Sequence, residues 1–289
     1  MIAVYPIIMS QGKFTHKDSL MFPYEERGLQ FGDGVYEVIR IYHGKLYLLD
    51  EHIERLYRSL EAVRIQIDQT KEEMKSLLID LLFKNEMKED GFVYLQVTRG
   101  TAARIHTFPE DITPNIYAYV NNQSRNLKSI EQGVSTITLS DDRWENCYIK
   151  SLNLLPNVLA KQTAMEKGCY EAILHINGLV TECGSSNVFL VKDGKIYTHP
   201  ATNRILNGCV RMAVKRFADE LDIPFIEEAF TIDDISTADE MFLTSSISEV
   251  LPITTVDNIT IADGKPGKIS RKLQAAYERD AHITVEKVK

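Results

Sequence analysis

Cysteine is scarce and scattered in this chain. The four present, Cys147, Cys169, Cys183 and Cys209, never form a Cys-x-x-Cys pair. This spacing argues against a thiol-redox motif or a dense disulfide framework and leaves free thiols in a reducing cytoplasm as the expectation. Histidine is equally dispersed: the seven do not recur at metal-ligand spacing, and no structural metal is expected. No apolar run approaches the ~18 residues that a membrane span requires. The opening, Met1-Ile2-Ala3-Val4-Tyr5-Pro6, lacks the basic segment and apolar core of an export signal, so none is expected. Basic charge is also in deficit. Lysine and arginine number 33 against 41 acidic residues, a net charge of −8. That balance disfavours a nucleic-acid partner, which calls for a basic face.

Hydrophobic residues make up 44% of the 289 and charged residues 26%, the profile of a folded chain with room for two domains. Alternation predicts strands over 35–42 and 45–49, joined by His43-Gly44. A helix over 51–63 follows, with Ile53, Leu56, Tyr57, Leu60 and Val63 on one face. Thr70 and Glu73 have the spacing of a capping box, opening a helix whose stripe is Met74, Leu77, Leu78, Leu81 and Leu82. Strands are expected over 91–98 and 116–120. The polar run 121–128 reads as a linker between a smaller domain, 1–120, and a larger one, 129–289. In the larger, Asn177-Gly178 and Asp193-Gly194 are hairpin signals between strands over 171–176, 187–191 and 195–198. Helices are expected over 208–221 and 268–280, and a strand over 241–243. Helices and hairpins interleave without a βαβ rhythm, so α+β is the expected class.

One lysine stands out. Lys150 sits in the apolar run Ile149-Lys150-Ser151-Leu152-Asn153-Leu154-Leu155, just before a long amphipathic stretch. Apolar surroundings favour the neutral amine, the form that attacks a carbonyl to make a Schiff base. Other features are individually ordinary. Asn207-Gly208-Cys209-Val210 opens a helix, whose N-terminus suits a phosphate but so does any helix start. Thr244-Ser245-Ser246 is a hydroxyl-rich turn that can serve an anion or simply be polar. Glu182 ends a strand before small residues. Arg55 can pair on its helix with Glu51, and Arg104 and His106 flank Ile105 in a loop.

Taken in order, Gly32-Asp33-Gly34-Val35-Tyr36-Glu37, Glu51-His52-Ile53-Glu54-Arg55-Leu56, Lys150-Ser151-Leu152-Asn153, Thr181-Glu182-Cys183-Gly184-Ser185-Ser186-Asn187, Ile205-Leu206-Asn207-Gly208 and Thr244-Ser245-Ser246 form a larger pattern. The chain resembles the fold-type-IV pyridoxal-phosphate enzymes, and among them the bacterial D-amino-acid aminotransferases, over about residues 25–277. The resemblance implies a two-domain α+β fold of mixed sheets and flanking helices. It implies pyridoxal 5′-phosphate held by Lys150 as Schiff-base lysine and proton shuttle. Glu182 then faces the pyridine nitrogen, keeping it protonated so that the ring can accept electrons. Arg55 matches the phosphate-pairing arginine; Cys209, Val210, Ser245 and Ser246 complete the phosphate cup, and Leu206 packs on the ring.

By the same likeness, Tyr36, Arg104 and His106 form a trap for the substrate carboxylate. The last two reach over from a second subunit, which implies a homodimer. The activity implied is transamination between D-alanine and 2-oxoglutarate. A branched-chain L-aminotransferase, an aminodeoxychorismate lyase and a non-catalytic cofactor binder are the alternatives, and Tyr36 with Arg104 and His106 favours the D-specific one. Three positions depart from the pattern. Val210 and Ile247 stand where threonines are usual, which predicts a weaker hold on the cofactor by about 1 kcal/mol per lost hydroxyl bond. Asn146 replaces a usual arginine.

Overall fold

The computed structural model describes residues 4–283, which form two compact units. The first comprises 4–124 together with Ile149–Asn153; the second comprises 125–148 and 154–283.

In the first unit, β1 (Ile7–Ser10), β2 (Lys13–His16), α1 (Arg27–Phe31), β3 (Gly34–Tyr42), β4 (Lys45–Leu46), α2 (Leu49–Ala62), α3 (Lys71–Lys84), β5 (Gly91–Thr98) and β6 (Asn115–Asn122) follow in order. The strands make one antiparallel sheet of six, β2-β1-β6-β5-β3-β4. Alternation along β3 puts Val35, Glu37, Ile39 and Ile41 on one face. There Val35, Ile39 and Ile41 share a core with Ile53, Leu56 and Leu60 of α2 and Met74 and Leu78 of α3. The Thr70–Glu73 capping box starts α3 as expected. Tyrosines line the other face: Tyr36 stacks on Tyr94 at 5.8 Å, and Tyr94 on Tyr119 at 5.1 Å between centroids.

The strand expected over 45–49 stops at Leu46. Leu48 takes a left-handed backbone (φ 54°) and α2 begins at once, so β4 pairs only with Ile41 and Tyr42. Residues 34–36 of β3 are therefore open on that edge, and Ile149–Asn153 returns to fill it. Tyr36 N–H donates to the Lys150 carbonyl and Leu152 N–H to the Gly34 carbonyl, both at 3.0 Å, and Val35 bridges Ser151. For this reason Lys150 lies in the first unit, whereas its sequence position suggests the larger second domain. The linker is also narrower than 121–128. Asn121 and Asn122 close the β5–β6 ladder opposite Phe92 and Gly91, so strand pairing takes up backbone that polar composition marks as loop.

The second unit runs α4 (Leu127–Gln132), β7 (Val134–Ser140), α5 (Leu155–Glu166), β8 (Glu171–Ile176), β9 (Leu179–Cys183), β10 (Asn187–Lys192), β11 (Lys195–Thr198), α6 (Cys209–Glu220), β12 (Phe225–Glu227), β13 (Glu240–Ser245), β14 (Glu249–Val256), β15 (Ile259–Thr260) and α7 (Lys268–Asp280). Its nine-stranded sheet has the order β12-β11-β10-β13-β14-β7-β8-β9, with β15 on β14. Both hairpins form with positive φ at Asn177, Gly178, Asp193 and Gly194, as a two-residue turn of matching twist needs. Two steps differ from expectation: β7 lies parallel to β8 with α5 between them in sequence, and β11 lies parallel to β12 with α6 between them, each a βαβ crossover. The segment Val-Ser-Thr-Ile-Thr-Leu-Ser of β7 is half hydroxylic and gives too weak an apolar signal to read. Around those two crossovers the remaining pairings are mostly antiparallel, and the architecture remains α+β.

Candidate active site

In the first unit, the β3 edge sets the backbone of Lys150, and its own N–H donates to Ser59 Oγ at 3.2 Å. The side chain is half-buried, and Nζ stands 4.2 Å from the centroid of the Tyr36 ring. Lys150 and Tyr36 are thus brought together on the tyrosine-bearing face. On the opposite face, α2 turns Arg55 inward against Glu37. Arg55 Nε and Nη2 donate to the two Glu37 oxygens at 2.8 and 2.7 Å, and His52 Nδ1 lies 2.7 Å from Oε2. Burial alone would raise the Glu37 carboxyl, but Arg55 and His52 override it and hold it well below the usual range. Arg55 thus turns two of its guanidinium nitrogens, Nε and Nη2, to a buried carboxylate.

Arg104 and His106 are exposed and gather around Phe31: Arg104 Cζ is 5.0 Å from its ring, and the His106 ring 5.5 Å. Their loop is anchored by Arg27, which donates to the Ile105 carbonyl (2.8 Å) and to Asp33 (2.8 Å). Arg99 grips Asp33 from the other side at 2.8 and 2.9 Å. His106, Phe31, Ser151 and Asn153 contribute to the lining of a cavity of about 240 Å³. Within the chain the expected trap stands in two groups, Tyr36 with Lys150 and the loop pair with Phe31.

The second unit holds the other candidates. Glu182 is the fourth residue of β9 and is buried. Arg143 Nη1 donates to its Oε1 at 2.5 Å, Asn187 Nδ2 to its Oε2 at 2.8 Å, and the Leu206 N–H reaches both oxygens at 3.1 and 3.2 Å. Burial pushes this carboxyl up, against the pull of Arg143. Asn187 also donates to the Leu206 carbonyl at 2.8 Å, fixing the chain just before α6. A Cβ on Gly208 would come 2.3 Å from Asn187 Oδ1, so that approach needs glycine. Cys209 and Val210 are the buried first residues of α6, and no side chain caps that helix. Ser245 ends β13, its Oγ accepting from Ser248 N–H at 2.9 Å, with Ser246 next in the turn.

The family profile described as "Amino-transferase class IV" matches residues 34–256. The chain belongs to the class IV aminotransferases.

Among curated members, this aminotransferase is similar to the D-alanine aminotransferase of Bacillus licheniformis, 46% identical over 94% of this chain and 95% of that one. It is similar also to that of Staphylococcus epidermidis, 45% identical over 94% and 96%. Of solved structures, Escherichia coli branched-chain amino acid aminotransferase superimposes with a TM-score of 0.90 at 23% identity, covering 98% of this chain and 97% of that one. The enzyme from Thermobaculum terrenum in its PLP form gives 0.87 at 23%, over 97% and 95%. At such identity these two speak for the fold.

The family's cofactor is pyridoxal 5′-phosphate, and residues of this aminotransferase fit it. Ser186 Oγ and Thr244 Oγ1, beside Asn187 and Ser245, are buried hydroxyls without a hydrogen-bond partner among the described residues. A buried carboxylate, an uncapped helix start and a half-buried lysine are the chemical groups that a pyridinium, a phosphate and an aldehyde require. Among the described residues no cluster could hold a metal and no helix is long and apolar enough to cross a membrane. Sequence reading missed Glu37, Asp141, Arg143 and Asn187. Glu37 had a signal: it shares parity with Val35, Ile39 and Ile41 and so must point into the core.

Proposed function

We propose that this class IV aminotransferase exchanges an amino group between a D-amino acid, D-alanine above all, and a 2-oxo acid such as 2-oxoglutarate. The products are pyruvate and D-glutamate, formed in a ping-pong scheme with pyridoxal 5′-phosphate. What carries the reading is likeness along 94% of the chain to D-alanine aminotransferases, at 42% to 46% identity.

In this reading Lys150 binds the cofactor through its amine and, once released, moves the proton at the substrate α-carbon. Glu182 holds the ring nitrogen, and Leu206 packs on the ring. Arg55, with donors around Cys209, Val210, Ser245 and Ser246, holds the phosphate. Bound pyridoxal phosphate supplies the sink for the electron pair left when Cα–H breaks. Tyr36, Arg104 and His106 hold the substrate carboxylate and so select the enantiomer.

Two broader features belong to the proposal. The protein works as a homodimer, which the outward apolar face of α5 supports: Leu155, Val158, Leu159 and Met165 are 58–69% exposed. It acts in the cytoplasm, in keeping with four free cysteines. The test is turnover of D-alanine and of L-leucine with 2-oxoglutarate. D-alanine is expected to react at least tenfold faster, and reaction of L-leucine alone overturns the reading.

A further inference from the structure

Glu182 does not stand alone. Arg143, which reaches its Oε1, spends most of its fork elsewhere: Nε and Nη2 donate to the two oxygens of Asp141 at 2.9 and 2.8 Å. Asp141 is held in turn by Thr181 Oγ1 at 2.7 Å, one residue before Glu182 in β9, and by the Arg143 N–H at 3.1 Å. All three charged side chains are at least nine-tenths buried.

An arginine that fixes a carboxylate also neutralises it, leaving little for a second cation. Here two carboxylates face one guanidinium, so the buried cluster carries one negative charge in excess. A surplus of that kind is costly unless a cation completes it. The electrostatics say which carboxylate bears it. Burial raises both, yet Arg143 holds Asp141 below its usual value, while Glu182 stays raised. Of the other polar groups, Cys147 is kept a neutral thiol, pushed up to about 11 mainly by burial. Arg204 offers Arg143 only its carbonyl, at 3.4 Å, and its side chain pairs with Glu145. Asn187 and Leu206 are neutral donors.

We propose that Asp141 and Arg143 are positioning residues for Glu182: Arg143 fixes its carboxylate, and Asp141 cancels the charge that Arg143 brings, so that Glu182 remains a full anion toward the cofactor's ring nitrogen. Three donors fix Glu182 in place, the Leu206 N–H being shared between its two oxygens. The inference rests on the functional reading above and adds two residues that no motif named.

The experiment uses holoenzyme loaded with pyridoxal phosphate labelled with ¹⁵N in the ring, followed by NMR across pH. In the wild type the nitrogen is expected to stay protonated throughout. In Asp141→Asn, Arg143 is no longer cancelled, and the nitrogen's midpoint falls by about one pH unit or more, bringing its titration into view. Asp141→Glu restores the wild-type signal. Arg143→Met, which removes the cation, moves the proton affinity of the cluster the opposite way, so the nitrogen stays protonated. A purely structural role would lower the melting temperature and cofactor loading of Asp141→Asn but leave the nitrogen protonated at every pH; that result overturns the proposal. Two controls separate it from its foundation. Failure of wild-type protein to retain the label on Lys150 after borohydride reduction, or a Glu182→Gln nitrogen titrating as the wild type does, sinks the functional reading itself.

Discussion

Glu37 is the fully buried centre of a polar group otherwise walled by aliphatic residues, and its charge is tolerated because Arg55 and His52 reach it from one turn of α2. Removing one member of a buried pair leaves the other uncompensated, at about 3–5 kcal/mol. Glu37→Gln is therefore expected to lower stability by about that amount at neutral pH, measured by urea unfolding. The pH dependence has a definite sign. The folded Glu37 carboxyl is held below its unfolded value, so its contribution is complete above about pH 5 and is lost as pH falls toward the folded value. The deficit of Glu37→Gln against the wild type should shrink on acidification. An unchanged difference between pH 7 and pH 4 would contradict this.

At the scale of elements, the decisive join is between β3 and the returning segment that carries Lys150. A Cβ on Gly34 would come 2.5 Å from the Val97 carbonyl and 2.9 Å from Leu152 Cδ1. Gly34→Ala is expected to cost about 1–3 kcal/mol and to reduce borohydride-trapped cofactor on Lys150, read by peptide mass. Full trapping at wild-type stability would show that this join does not set the lysine. Elements with strong local patterns were legible from sequence: β5, β8, β11 and α7 begin and end where alternation and helical spacing put them. Shortfalls have particular causes. Leu48 turns left-handed against its strand-like composition, and the hydroxyls of β7 dilute its apolar alternation. For the site, motifs pointed to Lys150, Glu182 and Arg55. They could not point to Arg143 or Asp141, whose Asp-Asp-Arg run reads as solvated charge until β7 and β9 bring it to Glu182.

For the molecule as a whole, composition speaks to solubility and α5 to assembly. A helix that leaves Leu155, Val158 and Leu159 on its outer face, at i, i+3 and i+4, presents a stripe that isolated chains seldom leave open. Leu159→Glu is expected to shift the protein from dimer to monomer in sedimentation and to lower turnover of D-alanine at least tenfold. A wild type that sediments as a monomer at micromolar concentration would end this reading. The position of Lys150 was the least legible large-scale fact. Nothing in residues 125–148 announces that the chain leaves the second unit for a few residues and then goes back.

That brief excursion has a mechanical meaning. With its amide, its carbonyl and both flanking residues tied down, Lys150 has a stationary root, and only the four methylenes beyond it are free to pivot. Its amine thus sweeps a small fixed arc above Tyr36, set by side-chain torsions alone, and slack elsewhere in the connecting chain does not blur where that arc begins.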